Sequence, residues 1–350
     1  MRVAARMELQ PGMTLGEDVS VQDTVLFSAG TVLTANNIER LKQYSVMCVT
    51  IMEDVDFAVT HFEKLRFSDD FKLFEQKHAV NQSKYKQLVT DFATLGRLIP
   101  EESLMEIYSD LRSTYSSEAM LLDYLYNLMP NEDELTFNHC LNSALLAGVF
   151  AEWASMPEDE QKNLILAGFY YDIGKLKLPY DVLWRPGKLT TEEFSIVKKH
   201  PAIGWAMLGN VGLDRRVQDA VLMHHERMDG SGYPHQLRGE EINIYARYIA
   251  IVDTYIAMAS PRPHRSALTP LQIVGHLEKD IAKYDAEILV PLMQRIANAQ
   301  IGSNVSLSDD SVWEVFILHP DRLSRPILRN ENSDILDLVE HPELEMVKMM

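Results

Sequence analysis

The stretch HHERMDGSGYP, residues 224–234, ends an apolar run from Val217 to Met223 and turns through glycines to Gly232-Tyr233-Pro234. Neighbouring residues on a helix point about 100° apart, so two adjacent histidines do not both fill one core. Two imidazoles at a helix end can instead converge on a metal ion. Taken alone, the pair His224 and His225 is compatible with a metal or with structural histidines. The rest of the chain bears on that choice.

The 350 residues are enough for two or three domains, and 46% hydrophobic content supports a sizeable core. A net charge of −18 argues against general nucleic-acid binding, which needs a basic surface to replace counterions. It leaves room for a small anionic ligand held by a few local cations. Two cysteines, Cys48 and Cys140, give no disulfide framework and fit a reducing cytoplasm. The start, MRVAARMELQPG, has no signal-peptide core. The longest apolar run, Leu141 to Ala154, is too short to span a bilayer and carries Asn142 and Glu152.

Four regions follow from the patterning. Residues 1–55 read as a small mixed α/β domain, with a hairpin of 24–27 and 31–33 about Ser28-Ala29-Gly30, a helix from Asn36 to Tyr44 and a strand from Val46 to Ile51. Residues 56–130 read as a polar helical connector with Phe67, Phe71 and Phe74 at helical spacing. Residues 131–300 read as a helical bundle. Its helices are 136–153, 160–171, one opened by a Thr190/Glu193 capping box and closed at His200 by Pro201, another begun at Pro201, then 217–225, 245–259 and 271–299. Residues 301–350 read as a small β appendage with strands 305–307, 312–318 and 325–328, and Met346 to Met350 as a frayed end.

Within the bundle, Asp253 falls on an apolar helix face beside Ile249, Ala250, Ile256 and Ala257. A buried carboxylate costs several kcal/mol (roughly 3–5) unless paired or bound to metal. His139 lies one turn into an apolar helix. Asp172 sits at a helix stop in Tyr171-Asp172-Ile173-Gly174-Lys175, where Gly174 suits a left-handed turn. Each residue alone has an ordinary structural reading. Together His139, Asp172, His200, His224, His225 and Asp253 form an imidazole and carboxylate set without thiolate. That set suits iron, manganese or another first-row divalent metal, with zinc an alternative. Two metals bridged by a carboxylate can activate water and clamp a phosphate.

The motifs at 171–175, Arg185-Pro186-Gly187-Lys188-Leu189-Thr190, His200-Pro201, 224–234 and Arg262-Pro263-His264-Arg265 resemble the HD-GYP domain, a branch of the HD phosphohydrolase superfamily. The resemblance covers about residues 131–285. It implies a mainly α fold: an HD-type helical bundle, here with a small N-terminal α+β domain and a C-terminal β appendage. It implies a phosphodiesterase that hydrolyses cyclic di-GMP to pGpG or GMP with two divalent metals. It assigns His139, Asp172, His200, His224, His225 and Asp253 as metal ligands, with Asp172 bridging. It assigns Lys175 to the phosphate, Arg262 and Arg265 to the dinucleotide, and Tyr233 to substrate within a loop that also meets partners such as diguanylate-cyclase-type proteins.

The chain departs from the pattern at Tyr171, where the family's HD histidine is expected. One metal then keeps His139, Asp172 and Asp253, joined by Tyr171 only if its phenol, with an ordinary pKa of about 10, ionises. Leu135 lacks the carboxylate of three-metal relatives, so two metals, or one, are expected. The favoured reading is an impaired metal-dependent phosphodiesterase. The alternative is a catalytically silent cyclic di-GMP receptor. The oligomeric state, a dimer included, is left open, whereas His61, His78, His235, His276, His319 and His341, in polar or loop contexts, are read as structural.

Overall fold

A computed structural model describes residues 2–6, 9–21, 24–44, 46–52, 64–128, 135–183, 189–260 and 267–349. The architecture is mainly helical, with small N-terminal strands and a C-terminal five-stranded antiparallel sheet. Strands β1 (Arg2–Ala5) and β4 (Cys48–Ile51) pair antiparallel, as do β2 (Val19–Val21) and β3 (Thr24–Phe27). Between β3 and β4 lies α1 (Ala35–Gln43), capped by Thr34 and Asn37. Ala4, Leu15, Leu33, Leu41, Val49 and Ile51 fill the local core.

The expected hairpin differs. Strand β3 pairs back onto β2, and Thr14 bridges Val32 instead. Asp18 Oδ1 accepts from the Ala29 amide at 2.6 Å, and Gly30 adopts a φ of 79°, so the Ser28-Ala29-Gly30 turn sends the chain to a different partner.

Helix α2 (Asp69–Leu95) starts at Ser68, whose hydroxyl accepts from the Phe71 amide, and stops at Gly96 in the left-handed region. It buries Phe71, Phe74, His78, Tyr85, Val89 and Phe92, a stripe at helical spacing. Phe67 lies in the turn before it. Helices α3 (Glu101–Arg112) and α4 (Glu118–Asn127) lead to the apolar α5 (Leu135–Trp153) and α6 (Glu158–Tyr170). A Cβ on Gly168 would lie 2.7 Å from Ala144 Cα, so the missing side chain lets α5 and α6 approach.

A 3₁₀ turn (Ile173–Lys177), α7 (Tyr180–Leu183), α8 (Thr191–Val197), α9 (His200–Met207), α10 (Arg215–Met223) and α11 (Ile244–Ala259) complete the site-bearing part. The Thr190/Glu193 capping box forms as read. His200 does not end a helix, however. Helix α8 stops at Val197, and His200 opens α9 with Pro201 in its first turn, where proline's missing N–H has no helical partner to lose. The long helix expected over 271–299 is two: α12 (Pro270–Lys279) and α13 (Ala286–Asn298), parted by a 3₁₀ turn and the Asp285 cap.

The C-terminal sheet has strand order β8-β7-β6-β5-β9, with β5 Asn304–Leu307, β6 Val312–His319, β7 Arg322–Arg329, β8 Ile335–Asp337 and β9 Met346–Met349. Residues 346–349 of the methionine-rich end are therefore not frayed. Their backbone pairs with β5, and Met346 and Met349 join the core; Met350 lies outside the described residues. Among the described residues no helix is long and apolar enough to cross a membrane.

Candidate metal centre

Helices α5, α6, α9, α10 and α11 deliver the six ligand candidates to one place. Asp172, His200, His224 and His225 each offer a ligand atom, all within 4.8 Å of one another; His139, Asp172 and Asp253 form a second such group that shares Asp172. Asp172, His200 and His224 are completely buried.

The hydrogen bonds fix which imidazole nitrogen faces inward. His200 Nδ1 bonds the Val197 carbonyl at 2.7 Å, and His224 Nδ1 bonds the Val221 carbonyl at 2.8 Å. Each Nδ1 must carry the proton, which leaves both Nε2 atoms as bare acceptors. Those two atoms lie 3.1 Å apart, and His200 Nε2 lies 3.1 Å from Asp172 Oδ1. Three acceptors thus meet in a dry interior, and Asp172 Oδ1 has no hydrogen-bond donor. Burial, then the neighbouring His200, lowers the His224 pKa to about 3, so His224 is held as a neutral acceptor. A cation satisfies all three atoms at once, and anchoring Nδ1 to a carbonyl is the usual way of holding a metal-ligating histidine. The donor set fits a metal ion, with no thiolate to select among first-row metals.

The other half is paired differently. His139 Nε2 lies 2.8 Å from Asp253 Oδ1, while His225 Nδ1 lies 4.0 Å from Asp253 Oδ2. Burial would raise the Asp253 pKa, but the His139 hydrogen bond and nearby imidazoles outweigh it and hold the carboxylate ionised. The Tyr171 phenol, fully buried, bonds Ser143 Oγ at 3.0 Å, and its ring packs edge-on against His224 at 5.0 Å. Burial, then the charges of Asp253 and Asp172, push this phenol well above its ordinary pKa, so it sits here as a neutral group.

Lys175 donates to Asp172 Oδ2 at 2.5 Å, so an ammonium borders the cluster, with part of its side chain exposed. Burial alone would pull its pKa down; Asp172 and Asp253 raise it instead. Gly174 is not left-handed. A Cβ there would stand 2.0 Å from the His200 carbonyl oxygen, so glycine is needed for the close approach of α9. Tyr233 stacks on His225 with ring centroids 4.6 Å apart, and Lys198 Nζ lies 5.2 Å above Tyr233. Arg262, His264 and Arg265, like residues 185–188, lie outside the described residues.

Sequence reading missed the support of the 224–234 loop. Glu226, buried, accepts from the His235 amide at 2.6 Å and the Leu237 amide at 3.1 Å. A Cβ on Gly232 would stand 2.5 Å from Glu226 Cα and the His225 carbonyl. The signal was available, as a carboxylate directly after the histidine pair. Ser143, one turn after His139, was also overlooked.

Residues 123–288 match the HD domain family, and this helical segment has an HD-type fold. A cyclic di-GMP phosphodiesterase of Pseudomonas aeruginosa is 29% identical over 67% of this chain and 56% of its own length. A cyclic di-GMP phosphodiesterase response regulator of Xanthomonas campestris is 36% identical over 48% of this chain and 43% of its own length. A 3'3'-cGAMP-specific phosphodiesterase of Vibrio cholerae is 32% identical over 45% of this chain and 36% of its own length. The chain thus matches between 36% and 56% of the length of these curated relatives.

Proposed function

We propose that this chain is a metal-dependent phosphodiesterase acting on a cyclic dinucleotide, cyclic di-GMP foremost, to give pGpG or GMP. One observation carries the reading: His200 Nε2, His224 Nε2 and Asp172 Oδ1 converge in the buried interior as acceptors that one cation can satisfy together. The relatives named as phosphodiesterases supply the substrate class. Asp172, His200, His224 and His225 would hold one ion, and His139, Asp172 and Asp253 a second, iron or manganese by donor type. Bound there, divalent ions supply Lewis-acid polarisation of the phosphate and activation of water.

The protein's own groups do the rest. Lys175, beside Asp172, places an ammonium that can also meet a phosphate oxygen and stabilise charge that develops on it. Tyr233, half-buried and stacked on His225, borders the cluster as an aromatic wall for the ligand. Arg262 and Arg265 are assigned the distal phosphate or a guanine edge.

A second reading has its own observation. Tyr171 is a neutral phenol bonded to Ser143 where the family pattern places a ligand histidine. This favours a cyclic di-GMP receptor with weakened or absent turnover. Calorimetric titration with cyclic di-GMP, followed by chromatography of the same sample, separates the two. Binding with linear product supports the enzyme; binding with intact ligand supports the receptor; no binding in metal-loaded protein contradicts both.

A further inference from the structure

Helix α2 lies upstream of the matched segment 123–288, yet polar contacts tie it to the elements that carry the ligand residues. His78 Nε2 meets Asn142 Oδ1 at 2.7 Å, both buried, three residues beyond His139 on α5. Lys177 Nζ donates to the Ala93 carbonyl at 2.5 Å, two residues beyond Lys175. Between them Tyr85, 2% exposed, donates its hydroxyl to the Phe169 carbonyl, three residues before Asp172.

Tyr85 has a second neighbour. The buried Cys140, next in sequence to His139, lies beside the Tyr85 hydroxyl and the Asp172 carboxylate. One phenol on α2 therefore touches both the helix that carries His139 and the helix end from which Asp172 departs. The Phe169 carbonyl belongs to the last turn of α6, where carbonyls lack partners within the helix. A phenylalanine would fill the same volume and pack on the Phe169 ring, now 5.3 Å away. The hydroxyl adds direction: it fixes the end of α6 relative to α5.

We propose that Tyr85 is a positioning residue for the metal centre, setting the separation of His139 and Asp172 through Phe169 and Cys140. It rests on the metal-binding reading of the cluster. Loss of a group that orients metal ligands weakens metal binding by roughly 10–100-fold; Tyr85 acts at one remove, so about tenfold is expected.

The test is Mn²⁺ titration of the full chain without nucleotide, followed by the paramagnetic resonance of free Mn²⁺. Tyr85→Phe is expected to bind Mn²⁺ about tenfold more weakly. Cys140→Ala removes the same link from the other side, should shift affinity in the same direction, and serves if Tyr85→Phe fails to fold. Val89→Ala, buried one turn further along α2, should lower the melting temperature and leave Mn²⁺ affinity unchanged. Affinity within about twofold of wild type in both link variants would overturn the proposal. So would an equal loss in Val89→Ala, which would make the effect general packing. Wild-type protein that binds no Mn²⁺ would overturn the metal reading itself and this proposal with it.

Discussion

His200 Nε2 and His224 Nε2 face each other at 3.1 Å while each Nδ1 is spent on a backbone carbonyl. Two like acceptors at hydrogen-bond distance repel unless a proton or a metal lies between. Burial disfavours the proton, and Asp172 beside them supplies the negative charge that a divalent ion requires.

On the proposed phosphodiesterase reading, Tyr171 is the point where activity would be limited. Tyr171→His is expected to raise metal content and to increase turnover of cyclic di-GMP at least about tenfold, the scale of restoring a group in a metal site. Elemental analysis and single-turnover kinetics check it together. A second metal gained with no change in rate would show that Tyr171 does not limit catalysis.

Gly174→Ala should damage the centre without touching a ligand. Its Cβ would meet the His200 carbonyl at 2.0 Å and the Gly204 amide nitrogen at 2.6 Å, both backbone atoms. Helix α9 must then shift, at a cost of about 1–3 kcal/mol, and carry the His200 imidazole with it. Mn²⁺ affinity measured by titration is expected to fall at least about tenfold. Unchanged affinity would contradict the role given to this close approach.

His78 sets a pH dependence independent of the metal ligands. Burial lowers its pKa to about 4 from 6.5, against a smaller opposing effect of the Asn142 hydrogen bond. Above pH 6.5 both folded and unfolded chains hold it neutral, so it contributes no slope. Below that the unfolded chain takes up a proton that the folded one refuses, and stability falls until pH reaches about 4. At pH 5 the loss is about 2 kcal/mol relative to pH 7. Urea unfolding with chelator present at the two pH values checks this, and His78→Gln should flatten the difference. An unchanged difference in that variant would remove His78 as its source.

Much of this was legible in the residues themselves. The capping box at Thr190, the apolar runs of α5 and α11 and the helix end at the histidine pair after Met223 are local signals, and each formed as read. Misreadings came where one local signal has two outcomes. Pro201 can close a helix or occupy the first turn of the next, and only packing of α9 on Gly174 decides. Met346 and Met349 looked like an end because the strand they pair with, Asn304–Leu307, is some forty residues away. His78 was read as structural, as it is, but its burial was not legible because its partner, Asn142, is 64 residues distant. Tyr85 and Glu226 escaped for a related reason: their partners are backbone atoms, which no side-chain pattern records.

The most direct measurement is turnover of cyclic di-GMP by the full chain reconstituted anaerobically with ferrous iron or manganese, with products separated by chromatography beside Asp172→Ala. Linear product from the wild type, and neither product nor bound metal in Asp172→Ala, is the expected result. Metal-loaded wild-type protein that returns cyclic di-GMP intact would contradict the phosphodiesterase reading.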